Sequence, residues 1–268
     1  MEKFNRFVAR YAVAIFWIVL ICIAAVLMII VEFGVPLILA YVLALVLPCI
    51  CARWILTRDQ ALRSRSWAFL TEQCDPYPAL KEMEVQMSYQ GMKPMKLSRM
   101  MDYSTVLMEI GEYEKAYAWK NSLREDMERI KAVSAKTVYY HNMAMTCMKM
   151  SKWQEMEYWH GKMMASLQGM RSDSQRQAHY KQMEGYLAAY HYVRREYAES
   201  LRILDGMPRN SLRQEVSKAM SYARNYVDLG ETEKAKEALA FVVGNGNKLY
   251  VVQEARRMLA EMEKNTLA

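Results

Sequence analysis

YAVAIFWIVLICIAAVLMIIV, residues 11–31, is a run of 21 residues without a charged side chain. After Glu32 a second uncharged run extends from Phe33 to Ala52. The hydrocarbon core of a bilayer is about 30 Å thick, and a helix needs ~20 apolar residues to cross it. The two runs therefore predict a transmembrane hairpin over residues 11–56, with spans at 11–31 and 36–54.

Two prolines and a short connection define the expected shape of this hairpin. Pro36 fits the first turn of a helix, where the N–H that proline lacks would have no partner. Pro48 is expected to kink the last turn of the second span. The connection Glu32-Phe33-Gly34-Val35 is long enough only for a tight turn, so we expect the spans to be antiparallel neighbours.

Basic residues lie on both outer sides of the hairpin, and its connecting turn has none. They are Lys3, Arg6 and Arg10 before the first span, and Arg53, Arg58, Arg63 and Arg65 after the second. Because positive charge is retained on the cytoplasmic side, we expect a two-pass protein of the cell membrane with both termini in the cytoplasm. Residues 1–10 are then a cytoplasmic N-terminus, and the lipid bilayer is an expected partner.

Three other interpretations of the apolar segment compete with a crossing hairpin. A cleaved signal peptide is disfavoured, because the first run is too long and a second follows at once. A buried soluble core is disfavoured, because the two apolar runs are interrupted by a single charged residue, Glu32. A re-entrant hairpin that returns within one leaflet stays open, and it leaves the rest of the chain cytoplasmic as well.

Charge and cysteine content limit the function classes. The formal net charge is +7, but residues 1–66 carry +4 of it, which leaves only +3 for the remaining 202 residues. We therefore expect no nucleic-acid partner. The five cysteines are odd in number and irregular in spacing, which argues against a disulfide framework and predicts reduced thiols.

Residues 59–268 have apolar side chains at helical spacing, with breaks at Gly, Pro, Asn and Asp. Four predicted helix–turn–helix units align on their turns, which begin at Gly111, Ser151, Arg195 and Gly230. A small residue precedes each turn start by seven positions, and these residues are Ser104, Ala144, Ala188 and Ala223. We expect this small residue to leave space for the residue that opens the second helix, which is Tyr113, Trp153, Tyr197 or Thr232.

Gly111-Glu112-Tyr113-Glu114-Lys115-Ala116 and Gly230-Glu231-Thr232-Glu233-Lys234-Ala235 resemble the inter-helix turn of the tetratricopeptide repeat family. The resemblance covers roughly 97–243, and it implies an all-α solenoid of paired helices after the transmembrane hairpin. Two features depart from the family. The turn starts are 40, 44 and 35 residues apart, whereas the family repeat is 34. The alanine and the closing proline that are usual at the end of the second helix are mostly missing.

Flanking segments are expected to complete the repeat domain of residues 59–268. Asp59–Cys74 and Pro76–Gln90 form a predicted degenerate first pair, joined around Asp75-Pro76. Asn247–Glu263 is a predicted C-terminal capping helix with an apolar stripe on one face.

No arrangement of residues in the sequence is typical of an active site. There is no phosphate loop, nucleophile elbow, paired-histidine zinc motif or calcium loop, so we expect no enzyme, no cofactor, no metal and no small-molecule substrate. Among the histidines, His191 is expected on the packing face, and His160 and His179 on solvated faces. Lys120 is expected on the outer, exposed face of a second helix.

The first helix of each pair lines the inner face of such a solenoid, which predicts a partner-binding groove. Its inward residues are Met101, Thr105, Met108, His141, Met145, Met148, Tyr192, Met220 and Arg224, with Gly185, Ala189 and Val227 beside them. Methionine is over-used on surfaces that bind several apolar partners, although it also fills cores. The prediction is a membrane-anchored scaffold for a protein or peptide partner; the alternatives are a peptide-sensing regulator or a non-catalytic subunit of a membrane enzyme or transporter.

Overall fold

The structure, a computed structural model, describes residues 2–33, 36–89 and 93–267. It confirms the all-α class: these ranges contain helices and no β-strand. The helices are α1 Glu2–Arg10, α2 Ala12–Glu32, α3 Leu37–Gln73, α4 Pro76–Met87, α5 Lys93–Glu109, α6 Tyr113–Ser122, α7 Arg124–Arg129, α8 Val133–Lys149, α9 Trp153–Gln168, α10 Asp173–Val193, α11 Tyr197–Gly206, α12 Leu212–Asp228, α13 Thr232–Asn245 and α14 Tyr250–Leu267.

Contacts divide the chain into two compact units. The first unit comprises Met1–Trp67 with Lys81–Met100, and the second comprises Ala68–Leu80 with Met101–Ala268. Parts of some predictions lie outside the described residues: Gly34 and Val35 of the connecting turn, Gln90 at the end of the predicted second helix, and the two terminal residues.

Two helices, α2 and α3, are long and apolar enough to cross a membrane, and only 6% of the apolar window of each is buried. Their large apolar side chains point outward over a continuous length of chain. Those more than half exposed are Trp17, Ile18, Ile21, Val26, Met28 and Ile29 on α2, and Ile38, Tyr41, Leu45 and Ile50 on α3. A surface of this kind greatly exceeds what soluble monomers expose to water.

The helix α3 extends well past the end predicted at residue 54. It continues through Pro48 to Gln73, so the predicted separate helix Asp59–Cys74 is its C-terminal part. The physical reason is that proline removes a single backbone donor, and no other helix breaker follows before Asp75-Pro76. At 1.5 Å per residue α3 is ~55 Å long, more than one bilayer core.

A buried ion pair organises the core of the first unit. Arg99 donates to Asp59 at 2.6 and 3.0 Å, and both side chains are almost fully buried. The same guanidinium donates to the backbone carbonyls of Gln86 and Tyr89, each at 3.2 Å. Because a buried charge is costly without a partner, these contacts fix α5 against α3 and the end of α4.

The turns that end α5, α8, α10 and α12 have the same backbone geometry. Their first residues have positive φ, at +85° for Gly111, +56° for Ser151, +61° for Arg195 and +74° for Gly230. In each turn the next residue's N–H bonds the carbonyl five positions earlier at 2.8–2.9 Å, as in Glu112 to Leu107 and Glu231 to Tyr226. This is the Schellman pattern of helix termination, and it occurs at all four turn starts that the sequence predicts.

Paired helices approach closely beside these turns. The four small residues that precede the turns, Ser104, Ala144, Ala188 and Ala223, are all fully buried. Twelve positions after them lie Ala116, Met156, Ser200 and Ala235, which are also buried. The Ser200 hydroxyl donates to the Ala188 carbonyl at 2.8 Å, so the paired backbones are nearly in contact. In this way α8 packs on α9, α10 on α11 and α12 on α13.

The residues that open the second helices do not fill the space beside the small residues. Trp153 is 47% exposed, and Thr232 is exposed too, whereas Tyr113 and Tyr197 are half-buried. The expected packing role of this position is therefore wrong for Trp153 and Thr232. Close backbone approach leaves no room there for a large side chain, so the opening residue lies at the rim of the pair.

Extra residues account for the irregular spacing of the turns. The 40-residue interval contains α7, a six-residue helix inserted between α6 and α8. The 44-residue interval contains α10, which has 21 residues. The predicted cap corresponds to α14, which starts at Tyr250 and not at Asn247, and buries Val252 and Ala255.

Ala144→Trp is expected to destabilise the second unit severely, because an indole cannot fit where α8 and α9 approach, and overpacking costs ~1–3 kcal/mol or more. Thermal unfolding of the full chain in detergent, followed by circular dichroism, measures the effect. Ala165→Trp on the exposed face of α9 is the matched control and should melt like the parent. Equal melting of both variants would mean that the helix pair is wrongly placed.

Candidate functional site

The predicted groove residues do not form one open methionine surface. Met148 and Met220 are buried, and the Met108 sulfur accepts hydrogen bonds from Lys120 and Thr146. These three methionines therefore fill contacts between helices, which is the core role that methionine also performs. Met148 and Met220 therefore offer little groove surface, whereas Met108 is half-buried.

The other predicted groove residues are partly exposed. Met101, Thr105 and Met145 keep part of their surface accessible on α5 and α8, as do Gly185, Ala189 and Tyr192 on α10. Val227 is exposed, and Arg224 forms an ion pair with Glu254 at 2.8 Å. Whether this face binds a partner stays a prediction.

Lys120 is fully buried and not exposed as expected. Its ammonium donates to Thr146 Oγ1 at 2.7 Å, and no carboxylate bonds it among the described contacts. Burial lowers the pKa of Lys120 from 10.5 to about 7, because a charged amine is poorly solvated there. The prediction was wrong because helical offset alone did not show that α6 is covered by α8 on this side.

Charged side chains connect the last helices of the second unit to its first helix pair. Arg213 of α12 forms an ion pair with Glu109 of α5. The rings of Tyr113 and Tyr250 meet edge to face at 5.7 Å. At Gly111, an added Cβ would lie 2.5 Å from the Tyr250 ring, so the backbone of the first turn contacts α14 directly.

Lys149 lies in the same group of charges. Burial and Arg224 lower its pKa to about 8, with Glu254 and Glu109 acting in the opposite direction. Together with Arg213 and Arg224, it gives this region more cations than carboxylates. The contact of α12 and α14 with α5 is thus polar, with a surplus of positive charge, rather than an apolar methionine groove.

The histidines lie at contacts between helices. His160 stacks on Tyr190 with ring centroids 4.0 Å apart and bonds the Tyr186 hydroxyl at 3.0 Å, so it is half-buried and not solvated as expected. His191 is partly exposed and bonds Glu196 at 2.5 Å, which differs from the expected core position. His141 is a predicted groove residue; burial and Lys120 lower its pKa to about 4.

Two clefts on the second unit combine aromatic and charged side chains. The larger has a volume of ≈ 400 Å³ and is lined by Trp153, Tyr192, Val193, Arg195, Tyr197 and Asp228. The other, of ≈ 310 Å³, is lined by Tyr117, Arg124, Gln154, Glu155, Tyr158 and Trp159. Only Tyr192 of the predicted site residues lines either cleft.

The sequence assigned Trp153 and Tyr197 to helix packing, and so their accessible position was missed. One signal in the sequence points the other way. The equivalent position of the fourth unit is Thr232, a residue type that is mostly exposed in folded proteins. Position-by-position comparison of the four units therefore predicts a rim position for Trp153.

In the part of the chain that the structure describes, no group of three or more His, Cys, Asp or Glu side chains could hold a metal ion. Comparison with family models, with known proteins and with solved structures finds no match for this chain.

Lys120→Met is expected to stabilise the protein near neutral pH. The folded state favours the neutral amine (pKa about 7), whereas an unfolded lysine titrates near 10.5. The penalty on folding is therefore full below pH 7 and fades as the pH rises to 10.5, by about 1.4 kcal/mol per unit. Chemical unfolding of both proteins at pH 6.5 and 9.5 tests this. A stability difference that does not shrink with pH would contradict a neutral buried amine.

Gly111→Ala is expected to destabilise the protein more than Gly230→Ala. Both positions have positive φ, where a Cβ costs ~1 kcal/mol, but only the Cβ at Gly111 would collide with Tyr250, since none lies within 4 Å of Gly230. Melting temperatures of the two variants give the comparison. Equal decreases in melting temperature would show that α14 does not contact the first turn.

Proposed function

We propose that this chain is a membrane-anchored scaffold that presents a tetratricopeptide-like series of helix pairs to the cytoplasm and binds a protein partner there. The observation that carries the proposal is the outward-facing apolar surface of α2 and the first part of α3. Exposed Leu, Ile, Val and Trp side chains over this length are stable in lipid and not in water.

A transmembrane hairpin accounts for the packing at the base of these helices. Ile15 and Phe16 near the start of α2 pack on the cluster that contains Ile55 of α3. The beginning of α2 therefore lies beside the middle of α3, where the predicted second span ends, as antiparallel spans require. The basic residues on this side favour a cytoplasmic location for both termini.

The repeated turns support the tetratricopeptide-like part of the proposal. Four helix pairs with the same turn geometry and small residues at the same register are what a solenoid needs, because each pair buries its apolar face on its neighbours. Proteins of this construction act through contact with partners. A membrane anchor would raise the effective concentration of such a partner at the bilayer.

The larger cleft is the best candidate surface for that partner. It contains Trp153, Tyr192, Tyr197 and Arg195, and Trp, Tyr and Arg are the residue types that contribute most binding energy in protein interfaces. Trp153 is accessible before any partner binds. Its burial in a complex would remove a large apolar area from water.

A second candidate function is a peptide-sensing regulator. The contacts of α14 with the first turn, through Tyr250 and Gly111, favour it, because a ligand that competed for these contacts would shift the position of α14. A sensor should bind short peptides alone, whereas a scaffold needs a folded partner.

Topology is tested with single cysteines in a background whose five native cysteines are replaced by alanine. A cysteine in place of Phe33, which is 84% exposed, should react with a membrane-impermeant thiol reagent in intact cells. A cysteine in place of Lys115, an exposed residue of α6, should react only after permeabilisation. Labelling of position 115 in intact cells would reverse the proposed orientation.

Partner binding is tested by capture of the detergent-solubilised full chain from its own membranes and mass spectrometry. Trp153→Ala should lower recovery of the specific partner at least about tenfold, since interface tryptophans contribute ≥ ~2 kcal/mol. Phe241→Ala, which alters a partly exposed aromatic on α13, is the matched control and should retain the partner. Equal recovery by both variants would place the binding surface elsewhere.

A further inference from the structure

The N-terminal helix α1 has two chemically distinct faces. One face is buried in the first unit through Asn5, Val8 and Ala9. The other is solvent-exposed and has only aromatic and basic side chains, which are Lys3, Phe4, Phe7, Arg10 and Tyr11. These residues are three or four positions apart, so they form one continuous strip along the helix.

Trp54 of α3 extends this strip. Its ring meets that of Phe4 edge to face at 6.0 Å, and Arg58 lies over both rings at 5.7–5.8 Å. We call the surface formed by Lys3, Phe4, Phe7, Arg10, Tyr11 and Trp54 the aromatic–basic patch. Phe7 is 55% exposed, and its ring centroid lies 5.1 Å from that of Tyr11.

The acidic residues near α1 lie away from this patch and are already paired. Glu2 binds Arg6 and Arg65, and Glu82 binds Arg6 at 2.7 Å. The carboxylates thus hold α1 to the first unit and do not neutralise Lys3 or Arg10. The patch is left with net positive charge, which complements an anionic surface.

The patch is continuous with the candidate membrane span. The Tyr11 N–H bonds the Phe7 carbonyl at 3.1 Å, and the Ile15 N–H bonds the Tyr11 carbonyl at 2.9 Å, so helical hydrogen bonding joins α1 to α2. Phe7, Arg10 and Tyr11 are therefore within ~8 Å of Ala12, the first residue of α2, along the helix, a distance comparable to the headgroup layer of one leaflet, which is ~5–8 Å deep. Aromatic and basic side chains are enriched at that depth.

From these observations we propose that α1 is an interfacial helix whose aromatic–basic patch binds anionic phospholipid headgroups of the leaflet that α2 enters. Phe4, Phe7, Tyr11 and Trp54 would lie at the boundary with the acyl chains, and Lys3 and Arg10 would contact phosphates. This proposal rests on the membrane anchor of the proposed function and adds a lipid-binding site with a charge preference. Burial of these rings in lipid would fix the first unit against the bilayer surface.

The test places a photo-crosslinking benzoylphenylalanine at position 7 of the full chain, reconstituted in vesicles. One set of vesicles is phosphatidylcholine alone, and the other contains equal parts phosphatidylcholine and phosphatidylglycerol. Probes at Met28 on α2 and at Tyr158 on α9, both exposed, are the positive and negative controls. Mass spectrometry identifies lipid adducts at each position.

We expect lipid adducts at positions 7 and 28 and none at 158, with the yield at position 7 about fivefold higher in the anionic vesicles. Lys3→Glu combined with Arg10→Glu should abolish that difference. The same change of charge at Lys115 and Arg129, exposed residues of the second unit, should leave it unchanged.

Each other outcome overturns a specific statement. Adducts at 28 but not at 7 refute the interfacial helix and leave the anchor intact. Equal yields at position 7 in both vesicles refute the preference for anionic headgroups. Adducts of position 7 with a second copy of the chain show a protein-docking surface instead, and no lipid adduct at 28 removes the membrane anchor itself.

Discussion

The left-handed residue that ends the first helix of each pair is the constraint on which the second unit depends. At Gly111, Ser151, Arg195 and Gly230 the positive φ turns the chain back on itself, and the bond from the next N–H to the carbonyl five residues earlier holds the reversal. Only after this turn can two helices run side by side close enough to bury small residues on both. A non-glycine residue accepts strain in this conformation, so Ser151 and Arg195 show that the packing gained outweighs that cost.

The sequence was sufficient to predict these turns, because turn chemistry and small residues are local signals that recur at one register. It failed where the outcome depended on what covers a residue. Lysine is a residue type that is typical of exposed helix positions, yet α8 covers Lys120 completely. Tryptophan is a residue type that is typical of protein cores, yet the close approach of the α8 and α9 backbones excludes Trp153 from the core. Pro48 is a helix breaker by type, but α3 continues through it.

Two buried cations, Arg99 of the first unit and Lys120 of the second, differ in the partners they have. In the first, Arg99 has a carboxylate partner in Asp59 and several carbonyl acceptors, so the guanidinium is held charged with its donors satisfied. In the second, Lys120 has a hydroxyl and a thioether but no carboxylate, and its pKa falls to about 7. A paired buried ion fixes a geometry, whereas burial of an amine without a carboxylate destabilises the fold by an amount that falls as the pH rises from 7 to 10.5.

The contacts inside each unit bear on how a membrane-anchored scaffold would work. A unit next to lipid must hold its geometry while apolar helices leave it for the bilayer, and the Asp59–Arg99 pair together with the Glu2 and Glu82 contacts of α1 supplies directional bonds for this purpose. A unit that recognises partners needs accessible aromatic side chains on a rigid support. The Schellman turns supply the support, since they place Trp153 and Tyr197 at equivalent rim positions of successive pairs, where both line one cleft. Partner recognition would then depend on the same close packing of paired helices that keeps Trp153 and Tyr197 out of the core.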